Sequence, residues 1–192
     1  VAVRGVRLAP PPSTLAPRAP RRPAGEGARA LGTAVHAELQ RLAESGLLRA
    51  DGARLRLALR QAGVAGADLD AAQREALAAL ERTLADPRGR WLLGAHEEAR
   101  CEWRLAGMVG GELVHATLDR SFVENGERWI VDYKLATPQA GASAAAFLDA
   151  QTEQYRPQLE RYATLAAALE GRPVRCGLYF PMWAGWREVG EP

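Results

Sequence analysis

The chain has only two cysteines, Cys101 and Cys176, among its 192 residues. A four-thiolate zinc site or an iron–sulfur cluster needs more, and nothing in their placement marks a disulfide-bonded secreted scaffold, so both read as reduced thiols. Net charge is nearly lacking too: 25 basic residues against 23 acidic ones leave a formal +2. That excludes a protein that coats nucleic acid through bulk positive charge, but it leaves room for a local basic groove. No run approaches the ~18–20 apolar residues of a membrane span, and no charged-then-apolar leader is seen. No GxxxxGK[ST] phosphate loop occurs, which excludes nucleotide hydrolysis through that motif. The first residue is Val1 rather than Met, which reads as a piece excised from something longer.

What is present is 47% hydrophobic content, enough for one well-buried domain with a helical annex. Val1–Leu8 alternates weakly, as an edge strand would. The stretch APPPSTLAPRAPRRPAGEG after it is too rich in proline for a helix or a central strand and reads as a linker. Its Arg18, Arg21 and Arg22 are either solvated or available to a phosphate backbone or a partner domain. Leu31, Val35, Leu39 and Leu42 recur at three- and four-residue steps, predicting a helix over Ala28–Ser45. Further helices are expected at Gly52–Gln61 and at Asp68–Ala85, the latter capped by Asp68 and stopped by Pro87, with a short turn at Trp91–Leu93. The texture then changes to three antiparallel strands, Glu98–Leu105, Glu112–Glu124 and Arg128–Lys134, with ENGE as a hairpin turn. Helices at Ala144–Ala150 and Gln154–Leu169 and strands at Val174–Phe180 and Gly185–Val189 complete the chain. Helices, strands, helix, strands in that order predict an α+β or α/β domain with a mixed sheet.

The segment LDRSFVENGERWIVDYK places charge where a sheet prefers apolar groups. Alternation puts Ile130, Asp132 and Lys134 on one face, and a hairpin closing at Asn125–Gly126 brings Asp119 towards Asp132. Two carboxylates at ~4 Å in an effective dielectric near 20 repel by about 4 kcal/mol, a large share of a domain's stability. A divalent cation offsets that repulsion better than lysine does, and Mg²⁺ favours one or two carboxylates together with waters and phosphate. Plain salt bridges at strand ends are the competing account. His36 lies at the edge of the first helix's apolar stripe, as a core residue or a metal ligand. Glu102, on the same face as Glu98, Arg100 and Arg104, is the candidate third carboxylate or part of an exposed charged face. Tyr155, Gln158, Leu159 and Tyr162 share one face of the late helix, where an amide and a phenol can meet phosphates or carboxylates. Arg120 and Arg156 are candidate contacts to the phosphate backbone.

Taken in order, GTAVHAEL, EW, LDRSFVENGERWIVDYK and QLERY resemble the RecB-family nuclease domain of the PD-(D/E)xK superfamily, found at the end of helicase–nucleases of the RecB, AddA or UvrD-like kind. The resemblance spans Ala28 to about Val189. It implies a restriction-endonuclease-like α/β core, a central mixed sheet flanked by helices, with an N-terminal helical segment. In this reading residues 1–27 are a leader and 28–192 the nuclease domain, with a helical lead-in over 28–95 and the catalytic core over 96–192. The resemblance also implies Mg²⁺, or Mn²⁺, held by His36, Asp119, Asp132 and the Tyr133 carbonyl. Lys134 would position the attacking water, Glu102 would be the upstream glutamate, and Gln158 and Tyr162 would border the DNA path. Leu118 stands where the superfamily's nominal proline does, and no iron–sulfur cluster is expected. The implied function is that of an exonuclease in DNA repair and recombination, acting on DNA, single-stranded, fed by a helicase motor. An AddB/RecC-like partner subunit and a bacterial cytoplasmic setting go with it. Two rivals stay open: a nuclease fold that only binds DNA or docks partners, and a free-standing nuclease without a motor.

Overall fold

The computed structural model describes residues 24–190, so the expected edge strand Val1–Leu8 and Arg18, Arg21 and Arg22 of the leader lie outside the described residues. Five strands, β1 (Glu97–Val109), β2 (Glu112–Glu124), β3 (Glu127–Tyr133), β4 (Val174–Phe180) and β5 (Gly185–Val189), lie side by side in sequence order. All neighbours are antiparallel except β3 and β4. Parallel neighbours need a long crossover, and α5 (Ala144–Glu170) supplies it. Four helices precede the sheet: α1 (Ala24–Ser45), α2 (Gly52–Gln61), α3 (Gly66–Ala85) and α4 (Pro87–Leu93). The result is the expected mixed sheet flanked by helices, with an N-terminal helical segment.

Two apolar clusters hold the layers. The α1 stripe of Leu31, Val35, Leu39 and Leu42 packs with α2–α4 and with Trp129, Val131 and Tyr133 of β3. On the other face Ile130 of β3 packs with Leu159, Leu165 and Ala166 of α5. Alternation along β3 therefore separates the faces as its sequence pattern predicts, at up to ~2 kcal/mol for each fully buried aliphatic side chain.

Helix α1 starts earlier than expected, at Ala24, and other element boundaries differ as well. Helix α3 begins at Gly66, and Ala65 at its N-cap offers no side-chain acceptor; Asp68 instead lies in the first turn, beside the positive end of the helix. The helix ends at Ala85 as expected, before an extended Asp86 of the kind a following proline favours, and Asp86 then caps the next helix: its Oδ2 accepts from Gly89 N–H at 2.9 Å and from the Tyr179 hydroxyl at 3.0 Å. Pro87 then opens α4, where a missing N–H costs nothing, and the short turn becomes a seven-residue helix. The two late helices are one, continuous through Pro157. Ser143 caps it at one end, left-handed Gly171 closes the other, and the buried row Thr152, Leu159, Leu165 and Ala166 outweighs the proline's lost hydrogen bond. Strand β1 runs on to Val109, and Lys134 follows the last residue of β3.

The pleat also breaks. Ala116 and Leu118 of β2 pack on the α5 side, whereas Phe122, at the same parity, packs on the opposite side. Between Leu118 and Arg120 lies Asp119. Across from it, between the pairs Cys101–Arg120 and Trp103–Leu118, Glu102 has φ +47°, an uncommon value for a non-glycine residue. A second irregularity at Glu98, φ +46°, turns that carboxylate to Arg128 Nη2 at 2.6 Å. Arg128 is fully buried and also bonds both oxygens of Glu170 at the end of α5, at 2.8 and 2.7 Å, so one guanidinium ties β1, β3 and α5 together.

Candidate active site

The β2–β3 ladder runs from Glu124–Glu127 only to Arg120–Val131; beyond it the strands part, and the gap holds the candidate site. Asp119 stands at the fork. Its Oδ2 accepts the Tyr133 N–H at 2.7 Å, so a side chain takes a main-chain donor where the strands diverge. Asp132, 5% exposed, faces α5 with Ile130 as the strand period requires. From α5, Gln158 Nε2 donates to Asp132 Oδ1 at 3.2 Å and to the Tyr162 hydroxyl at 2.8 Å, the i, i+4 geometry that the sequence spacing predicts.

Lys134 Nζ lies 2.6 Å from Asp132 Oδ2, a contact of charges set off the hydrogen-bond direction. The same ammonium sits 4.0 Å from the centre of the Tyr155 ring, within cation–π range. His36 reaches in from α1, its Nδ1 3.6 Å from Asp119 Oδ2 and its ring edge against the Tyr133 ring. The Tyr133 side chain is buried on the helical side, between His36 and Tyr179, so it can serve the site only through its main chain.

Asp119 carries the electrostatic signature of the site. Burial first, and then the neighbouring Asp132 carboxylate, push its carboxyl up to about 6; His36 and the Tyr133 N–H pull the other way, and Glu102 adds a smaller upward push. The Tyr162 phenol is pushed up as well, by burial, and so remains a proton donor at neutral pH.

The donor set fits a hard divalent cation: the buried Asp132 and the partly buried Asp119 put two carboxylates side by side, and burial with the Asp132 charge pushes the Asp119 carboxyl up to about 6. Among the described residues, however, no three His, Cys, Asp or Glu side chains are gathered closely enough to form a closed cluster. Asp119 and Asp132 are therefore the candidate anchors, and His36 stands to one side.

The remaining sequence candidates divide. Glu102 is exposed and hydrogen-bonds to nothing among the described residues, but it lies close enough to act on Asp119. Its expected companion Glu98 points away, to Arg128 and Arg172, because each sits at its own backbone irregularity. Arg120 does not face a substrate path. It is 2% exposed, and its guanidinium donates to Leu92 O at 2.9 Å and Gly94 O at 2.8 Å, so its charge fastens β2 to the end of α4. Arg156 pairs with Glu153 at 2.8 Å and borders the groove between α5 and β5, away from Asp132. Tyr155 is the residue whose part the sequence did not assign, although its place three residues before Gln158 puts it on the site-facing side of α5.

A family model described as the PD-(D/E)XK nuclease superfamily matches residues 13–184. No curated protein matches the chain.

Proposed function

The chain belongs to the PD-(D/E)XK nuclease superfamily, and from that membership we propose a Mg²⁺-dependent deoxyribonuclease that hydrolyses the backbone of single-stranded DNA as the nuclease part of a helicase–nuclease. The observation that carries the chemistry is the pair of neighbouring carboxylates at a fork between strands, Asp132 buried and Asp119 partly so, with the Lys134 ammonium against Asp132. The RecB-like setting, an exonuclease in DNA repair fed by a motor and docked to an AddB/RecC-like subunit, rests on the ordered motifs around His36, Asp119–Lys134 and Gln158–Tyr162. The helical lead-in and the sheet core are read as one nuclease domain.

Asp119 and Asp132, with His36 and the Tyr133 carbonyl beside them, would hold the ion. When bound, Mg²⁺ supplies Lewis-acid stabilisation of the phosphate charge and acidifies water. Lys134 presents a fixed positive charge to a phosphate in the gap and orients the water that attacks phosphorus; the P–O bond opposite the incoming oxygen breaks. Gln158, already spanning Asp132 and Tyr162, keeps the Asp132 carboxylate in one orientation. The protonated Tyr162 hydroxyl is available as a donor to a phosphate oxygen. Glu102, at the rim, is placed to take a proton from water entering the gap.

Incubating the protein with end-labelled single- and double-stranded DNA tests this reading. Single strands are degraded with Mg²⁺ and spared with EDTA; no degradation, or degradation that EDTA leaves untouched, overturns it.

The Tyr155 ring fixes the lysine's position. Tyr155→Leu removes the π face and lowers kcat about tenfold with little change in KM, in line with a cation–π contact of about 1–2 kcal/mol. Tyr155→Phe keeps the face and restores the rate. Equal rates for Leu and Phe would show that the ring does not hold the ammonium.

A further inference from the structure

The β1–β2 hairpin is longer than the sheet needs. Its strands pair from Arg100–Ser121 to Val109–Glu112, but β3 leaves β2 at Arg120, so among the described residues no strand pairs with 112–119 of β2 on its second side. Left-handed Gly110 and Gly111, φ +58° and +87°, close the tip. One face of this arm is anchored: Leu105, Ala116 and Leu118 pack with Leu159, Leu165 and Ala166 of α5. Gly107 lets Leu165 Cδ2 approach so closely that a Cβ there would meet it at 2.9 Å.

Among the described residues nothing packs on the other face. It presents the facing pairs Arg104–Thr117, Ala106–His115 and Met108–Leu113, all exposed. The side chains of Arg104, His115 and Thr117 have no ion-pair or hydrogen-bond partner among the described residues. At the tip Met108 and Leu113 are each 64% exposed, an apolar pair lying side by side. The row is graded: polar donors next to the root, where Asp119 stands, and apolar groups at the far end. At about 3.4 Å per residue, Leu113 is about 20 Å along the strand from Asp119.

We propose that this face is a track for a single DNA strand passing to or from the Asp119–Asp132 gap, with Arg104, His115 and Thr117 on phosphates and Met108 and Leu113 against bases. The proposal rests on the nuclease reading above. Continuity with the gap names the occupant, since a polymer held at Asp119 must lie along one of the walls where the strands part. The charge selects a single strand. One unpaired arginine neutralises few phosphates, so affinity has to come partly from base faces, and only an unpaired strand offers these to a methionine and a leucine. The anchored face makes the arm a rigid wall, so a bound strand is positioned rather than followed.

The test measures binding without chemistry. Fluorescein-labelled thymidine oligomers, a tetramer and a dodecamer, are titrated in EDTA against three proteins: the wild-type chain, Arg104→Ala/His115→Ala and Met108→Ser/Leu113→Ser. All four residues are exposed, so both variants keep the fold, which circular dichroism checks. Wild type binds the dodecamer more tightly than the tetramer. Each variant loses about tenfold on the dodecamer and little on the tetramer, and loss of the Arg104 contact flattens the log–log salt slope by about 0.7. With Mg²⁺, KM for the dodecamer rises while kcat holds. If wild type degrades DNA but both variants bind the dodecamer as it does, the arm is not the track, and its apolar tip serves another partner. If wild type neither binds nor degrades DNA, the nuclease reading fails and the track fails with it.

Discussion

Asp132→Asn is expected to abolish the proposed Mg²⁺-dependent hydrolysis of single-stranded DNA, lowering kcat by about a thousandfold or more, while the fold is kept. The substitution is nearly isosteric, and Gln158 still finds a carbonyl oxygen to donate to. Two things are lost together. The site would lose one of the two carboxylates proposed to hold the ion, and Lys134 loses the charge that holds its ammonium 2.6 Å from Oδ2. Because one residue serves both roles, the loss exceeds what removal of a single donor brings. A melting curve in EDTA that matches or exceeds the wild type, beside a dead enzyme, is the expected pair of results. Hydrolysis within tenfold of wild type would remove Asp132 from the reaction.

Asp119→Asn is expected to make the metal-free protein more stable and the enzyme inactive. Asp119 is held near 6, well above the ordinary carboxyl value of 3.8, by burial and by Asp132. A carboxyl whose folded pKa lies above its unfolded one binds its proton more tightly in the folded state. Between about pH 4 and pH 6 the folded protein therefore carries more protons than the unfolded chain, and stability falls as pH rises through that window. The wild type has lost up to roughly 3 kcal/mol by pH 7. Asparagine has no such titration and still accepts the Tyr133 N–H. Urea unfolding in EDTA checks this: the wild-type midpoint drops from pH 4 to pH 7, and that of the variant stays level over the part due to this group. Added Mg²⁺ raises the wild-type midpoint near neutrality by binding the folded state alone, and leaves the variant unmoved. A wild type that is no less stable at pH 7 than at pH 4, compared with the variant, would contradict the charge excess.

The fold was legible where period and packing agree. The α1 stripe and the alternation along β3 predict which residues enter which cluster, and the structure places them there. Illegible were features decided by a single distant partner. Arg120 reads as a surface cation until the carbonyls of Leu92 and Gly94, at the end of a helix 26 residues earlier, take its donors. Arg128 reads as the first residue of a strand until Glu98 and Glu170 enclose it. The break expected between Ala150 and Gln154 is absent, because residues 151–153 continue the helix and Thr152 is buried within it. Within the candidate site, the Gln158–Tyr162 step and the Asp132–Lys134 alternation follow from local geometry alone. The fork at Asp119 does not, because the pleat breaks there and alternation loses its meaning. Tyr155 faces the site for a reason visible in the sequence, but that it lies under Lys134 depends on how α5 crosses β3.

The parallel pairing of β3 with β4 has a consequence for the growing chain. Asp132 is enclosed only when the strand carrying it gains a second neighbour, and that neighbour begins at Val174, after the whole of α5 has been made. Groups drawn from His36 at one extreme and Tyr162 at the other meet across more than a hundred residues, so their assembly waits on slow, long-range closure. A partly synthesised polypeptide, or one truncated before β4, carries the same aspartates and lysine in water, with no gap between them to grip an ion. On the nuclease reading proposed above, such a truncated chain would lack the β4 neighbour that encloses Asp132, and with it a complete site.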